Sequence, residues 1–389
     1  MKTVPRYDIV NVIDNILNII GKLLSIGGVN MEETNQRSIK VGCYYFTNWE
    51  SEKKWTSVKA FKTVDLEPIL GYYKDGLPEV QDWHIGQATE HGISFWIFDW
   101  YYDIAKNRGY RKNNVALDQG FLHASRRKEM EFVVMWCNEE SDFAGYTEQQ
   151  LLDMVKTMGE HYLHLDNYLK TPDGRNVVSM TRPDRLIGQF GYEGTKKMLQ
   201  AMHEEAKPWG GLFFMAIKYP TVEEIRLLKD AGFDACTLYS YSNEGMKSGQ
   251  LEGPYEAILP WIEPIWRSGF ENGALPVVPL VSPNWDSRPW AGLGGRGTWR
   301  SGSTPEKFEQ MCNALKAYVD PYLNLALVGT WNEFGEGSHI EPTKLHGCSY
   351  LDALQRAFFP EGYKPHSVAV PTENELAYFD YDDIPPADE

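Results

Sequence analysis

The segment "VGTWNEFGEGSHIEP" (residues 328–342) sets three carboxylates, Glu333, Glu336 and Glu341, beside Trp331 and Asn332, directly after the apolar run Leu325–Val328. Two carboxyl groups held together can work a glycosidic bond, one giving a proton to the leaving oxygen while the other acts as base. The spacing of Glu333 and Glu336 would bring them to about 5–6 Å if the turn were helical. Glu139 in "MWCNEE" repeats the pattern, an Asn followed by a Glu at the end of an apolar run. A plain solvated acidic loop is the alternative for each, but it gives no reason for the Asn-Glu pair to recur. His339 stands alone and reads as structural.

Other chemistries lack their residues. The nine histidines form no H-x-x-x-H pair, no carboxylate run matches a calcium loop, and no G-x-S-x-G elbow is present. No metal and no cofactor is expected. The net charge of −16 with no basic run argues against nucleic acid and anionic membrane as partners. Cys43, Cys137, Cys236, Cys312 and Cys348 are odd in number with no C-x-x-C, which reads as buried free thiols. Thirteen Trp and 22 Tyr are many, and such rings suit the flat apolar faces of sugars as well as they suit a core.

These groups need a frame. Apolar runs of strand length recur at 40–46, 92–100, 131–137, 176–180, 211–217, 233–239, 275–281 and 325–331, with helix-like segments between most of them. Gly92 and Gly232 end two helices before a strand, and "TPEKFEQMCNALKAYVD" opens with a Thr cap and a Pro. The rhythm predicts an α/β fold, a single-domain (β/α)8 TIM barrel over residues 36–364, in preference to a doubly wound sheet. Residues 1–35 read as a leader or helix whose Asp8, Asn11 and Asp14 interrupt a signal-peptide core, and 365–389 as an acidic tail. With no clear signal and no membrane span, the default compartment is the cytoplasm.

A barrel carries its chemistry at the C-terminal ends of its strands. There stand Tyr44, Tyr45 and Trp49; Asp99 and Trp100; Trp136, Asn138 and Glu139; Tyr239; Trp285 and Asp286; and Trp331, Asn332 and Glu341. All are candidate sugar-binding residues around the catalytic candidates Glu333 and Glu336. Core packing by the aromatics and turn formation by the acids are the alternatives. The glycine-rich "AGLGGRG" (291–297) reads as a mobile loop over the site.

The motif "TWNEFGEGSHIEP" closely resembles that of WbsX-like proteins and of glycoside hydrolase family 99, the endo-α-mannosidases. "VGCYYFTNW", "EHGISFWIFDWYY", "VMWCNEE", "LVSPNWDSRP" and "GCSYLDALQRAF" agree with it in order, over roughly residues 40–360. The resemblance implies a retaining hydrolase of α-linked manno-configured glycans, mannose or rhamnose, with an oligosaccharide or polysaccharide as partner. In it, Glu333 would deprotonate the sugar's own 2-hydroxyl, giving a 1,2-anhydro sugar, and Glu336 would serve as acid and then base. Glu336 would then carry a raised pKa while Glu333 stays ionised, aided by Asn332, and Glu139 would bind hydroxyls. Phe334 replaces the commoner Trp. Three alternatives stand beside this: Glu333 as a true nucleophile with Glu139 as acid/base, a glycosyltransferase of polysaccharide assembly, and a barrel that binds glycans without turnover.

Overall fold

The computed structural model describes residues 38–61, 66–109, 113–139, 145–291 and 296–363. The expected leader (1–35) and tail (365–389), and residues 292–295 of the glycine-rich loop, lie outside them.

Eight parallel strands form one sheet: β1 Lys40–Tyr45, β2 Ile93–Trp100, β3 Glu131–Trp136, β4 Asn176–Met180, β5 Leu212–Ile217, β6 Ala235–Thr237, β7 Leu280–Val281 and β8 Leu325–Val328. Their order is β7-β8-β1-β2-β3-β4-β5-β6. A single bridge between Cys236 and Val277 brings the two edges together. The eight runs read from the sequence are these eight strands, and the eight-stranded barrel follows. Almost every strand residue is buried, as expected for strands with side chains packed on both faces.

Helices fill most crossovers: α1 Pro78–Glu90, α2 Glu148–Met158, α3 Pro183–Glu205, α4 Val222–Asp230, α5 Ile258–Asn272 and α6 Pro305–Leu315, with α7 Ser349–Phe358 after β8. Thr147 and Gln150 form a reciprocal capping box at the start of α2. Thr304 accepts from the Lys307 N–H at the start of α6, with Pro305 in the first turn, as its sequence predicted. Gly92 and Gly232 take φ of 90° and 91°, the left-handed geometry that lets α1 and α4 turn into β2 and β6. The crossover from β2 to β3 differs: short π- and 3-10 turns between Ala116 and Glu129 replace a regular helix.

Candidate active site

After β8 the chain makes a small hairpin, Asn332–Glu333 pairing antiparallel with Ser338–His339. The turn holding Glu333 and Glu336 is therefore the head of a hairpin, closed by Glu336 N–H to the Glu333 carbonyl at 3.2 Å, and not the helical turn its spacing also allowed. Each residue of "NEFGEG" has its own task there. Phe334 points back into the core, stacked on His339 at 4.2 Å and packed on Trp55 at 5.5 Å. Gly335 lets the Trp290 ring lie against the hairpin, since a Cβ there would fall 1.9 Å from Trp290 Cε2. Gly337 has φ of 58° and presses on Asp286, whose backbone N–H donates to the Glu336 carbonyl.

Asn332 does not touch Glu333. Its Oδ1 accepts from the Phe46 N–H at 2.9 Å and its Nδ2 donates to the Phe46 carbonyl at 3.1 Å, a two-pronged clip on the end of β1. Asn138 does the same across the barrel, holding the Arg182 N–H at 2.8 Å and the Arg182 carbonyl at 3.0 Å beyond β4. The recurring Asn-Glu pair thus has a physical sense: the amide fixes the strand end to its neighbour, and the next residue carries the acid. Both Asn side chains are buried and engaged, so neither is placed to bind a ligand.

Four carboxylates share the barrel mouth and act on one another. Burial raises the Glu333 carboxyl well above its ordinary range, and the charges of Glu336 and Asp99 add to this. Two donors oppose it, the Gly335 backbone N–H and Trp290 Nε1, the latter at 3.0 Å from Oε1. Glu336 is pushed up to about 7 by burial and then by Glu139. Asp99 is also raised, mainly by burial, with Tyr239 donating to its Oδ2 at 3.3 Å. Its Oδ1 is buried with no partner among the described residues. The Tyr101 and Tyr239 hydroxyls feel the same carboxylates, which places their rings at this mouth. The raised Glu336 matches expectation; Glu333, expected to stay ionised with the help of Asn332, is instead raised by burial, and its side-chain donor is Trp290.

The other candidates divide by strand alternation, which sends neighbours to opposite faces. Tyr44 packs on Tyr239 at 4.8 Å and donates to the Leu238 carbonyl. Tyr45 goes the other way, toward His84 of α1. Trp100 bonds to the Tyr162 hydroxyl at 3.1 Å, and its register partner Trp136 packs on Tyr146. Trp331 packs on Trp96 and His84, and Trp49 is stacked on Trp55 at 3.8 Å and on Trp290 at 5.9 Å. Tyr45, Trp49, Trp100, Trp136 and Trp331 are all buried, so they frame the mouth and offer no face to a sugar. Trp285 donates to Thr298, and the Asp286 carboxylate is gripped by Arg288 through two bonds of 2.7 and 2.6 Å. Glu341 lies behind the hairpin, bonded to Tyr73 and His84. Residues facing the mouth are Asp99, Glu139, Tyr239, Glu333 and Glu336, with Tyr101, Cys137 and Trp290 added by the structure. Trp290 was hidden in the sequence because it sits in a four-residue helix, Arg288–Ala291, with no periodic signal of its own. All five cysteines are free and buried, and no metal-holding cluster occurs among the described residues.

Several known proteins are similar. A glycoside hydrolase-like protein superposes with a TM-score of 0.59 at 16% identity, covering 87% of this chain and 98% of its own. A GH99 endo-α-mannosidase from Bacteroides thetaiotaomicron gives 0.56 at 16% identity, covering 83% and 97%. At such identity these likenesses speak for the barrel fold. The uncharacterised protein WxcX of Xanthomonas campestris pv. campestris is 22% identical over 342 residues, 80% of this chain, and the chain spans about half of that relative, 46% of its length. The sequence model of the family described as Glycosyltransferase WbsX matches residues 44–354, from the end of β1 into α7, and the chain belongs to that family.

Proposed function

We propose that this protein is a retaining glycosidase of α-linked manno-configured glycans. The observation that carries the reading is the hairpin that holds Glu333 and Glu336 in one buried acidic cluster, with Glu336 raised to about 7. A carboxylic acid near 7 can donate a proton at neutral pH and then accept one back. In the first step Glu333 takes the proton of the sugar 2-hydroxyl, whose oxygen attacks the anomeric carbon. The bond to the leaving oxygen breaks as Glu336 protonates it, and a 1,2-anhydro sugar results. In the second step Glu336 takes a proton from water, water opens the anhydro ring, and the 2-oxygen recovers its proton from Glu333. The exposed Glu139 carboxylate offers acceptors for sugar hydroxyls. The endo-α-mannosidase neighbour supports the substrate class by analogy of fold.

The family's description favours a second reading, transfer from a nucleotide sugar. Against it, the exposed Glu139 carboxylate at the mouth would repel the phosphates of such a donor. Mass spectrometry of α-mannan and rhamnan oligosaccharides incubated with the protein separates the two, with Glu336→Gln as control. New, shorter oligosaccharides from the wild type alone support hydrolysis and identify the sugar. Products that form only once a nucleotide sugar is added refute it. Binding without turnover under either condition would leave a lectin-like barrel.

A further inference from the structure

The geometry points to Glu341 as a positioning residue, a buried acceptor on which two oriented hydrogen-bond chains converge to hold the catalytic hairpin against β1 and α1. This rests on the glycosidase reading above for its effect on turnover, while the orientation of the chains follows from the backbone alone.

The first chain starts at a carbonyl. Gln81 Nε2 donates to the Asp75 carbonyl at 2.8 Å, which fixes the amide with its nitrogen on that side. The same nitrogen donates to Tyr45 Oη at 2.7 Å. Tyr45 must then direct its own proton elsewhere, and its neighbour is His84 Nδ1 at 3.0 Å. An Nδ1 that accepts leaves the imidazole proton on Nε2, which faces Glu341 Oε1 at 3.2 Å.

The second chain starts at the Asn332 clip. With Oδ1 fixed on the Phe46 N–H, Nδ2 is the donor, and it lies 3.4 Å from Tyr73 Oη. The Tyr73 proton therefore goes to Glu341 Oε2 at 2.6 Å. Glu341 receives one donor on each oxygen and must be the carboxylate. The Glu341 and His84 side chains that meet here are both fully buried, so no water competes for these bonds. The Glu341 N–H also bonds to the Trp331 carbonyl at 2.9 Å, one residue before the clip. Through these bonds the loop bearing Tyr73, helix α1, the end of β1 and the base of the hairpin share a single acceptor. Glu341, read from the sequence as sugar-binding, acts instead through Tyr73 and Asn332 on the stem that carries Glu333.

Nitrogen-15 spectra of the full chain labelled at histidine test the assignment without reference to activity. His84, identified by its absence in His84→Gln, is expected as the tautomer with its proton on Nε2 and a bare, accepting Nδ1. A proton on Nδ1, or a charged ring, overturns the network. Glu341→Gln keeps the shape but puts an N–H where a donor already points. It is expected to lower kcat about a hundredfold, as for a misplaced reacting group, with KM within about threefold of wild type. A wild-type kcat overturns the proposal. If that variant does not fold, Tyr73→Phe removes one donor and keeps the ring, and should lower kcat about tenfold with the His84 tautomer unchanged; an unaltered kcat again overturns it. A wild-type protein that turns over no glycan yet shows the expected His84 tautomer removes the glycosidase reading and leaves the hydrogen-bond assignment standing.

Discussion

Replacing Trp290 by Phe tests which carboxyl of the pair is ionised. The charge of Glu336 acts on Glu333, and turnover needs the proton on Glu336 and the charge on Glu333. Burial of Glu333 works against this, since the more deeply buried acid holds the proton more tightly. The Trp290 Nε1 bond to Glu333 at 3.0 Å works for it, because a donor favours the ionised acceptor. A hydrogen bond to a charged group contributes about 1.5–3 kcal/mol, and Trp290 is 40% exposed, so the lower end, about 1.5 kcal/mol, applies. Phe keeps a ring stacked near Trp49 and removes the donor. The productive proton arrangement then falls about tenfold, and the acid side of the kcat/KM profile moves to higher pH. The assay is kcat/KM against pH for an unmodified oligosaccharide and for an aryl glycoside whose leaving group needs no proton. The loss should be the same on both, because the defect lies in the base. An unchanged rate, or a loss that vanishes on the aryl glycoside, refutes the assignment of Trp290 to Glu333.

Other outcomes follow from the same geometry. Glu139→Gln removes the charge that helps raise Glu336, so the Glu336 pKa falls and the alkaline side of the activity profile moves to lower pH; kcat against pH reads it. Glu336 is raised from 4.5 to about 7 in the folded chain, so its protonated form favours folding; that contribution is complete below about 4.5 and is lost as pH rises toward 7. Glu336→Gln should therefore melt higher than wild type at pH 8, by up to about 3 kcal/mol in stability, and no higher near pH 4; thermal unfolding at both pH values decides. Phe334→Ala empties a site between Trp55 and His339 and should cost about 3–5 kcal/mol, read by urea unfolding.

The barrel was legible because its eight strands are continuous apolar runs, a pattern that survives without knowledge of any contact. The acids at their ends were legible for the same reason, since a strand end is a position in sequence. What each side chain faces was not. Tyr44 and Tyr45 read alike, and only the pleat assigns one to Tyr239 and the other to His84. The Asn332 clip joins residues 286 apart, so nothing local announces it. An i, i+3 pair fits a helical turn and a hairpin head equally well, and the glycines at 335 and 337, with Trp290 and Asp286 pressed upon them, decide for the hairpin.

The closure of the sheet is uneven. β1 and β2 share five register pairs, whereas β6 meets the β7 side through one bridge, its N–H···O distances 3.0 and 2.9 Å. Local opening begins where a ladder has fewest bonds. The weakest seam of the barrel therefore lies between β6 and β7, two joints from the one between β8 and β1 that leads into Asn332, Glu333 and Glu336. Under strain that seam would part before the β8–β1 joint, whose four register pairs anchor the strand that leads into the hairpin and its two acids.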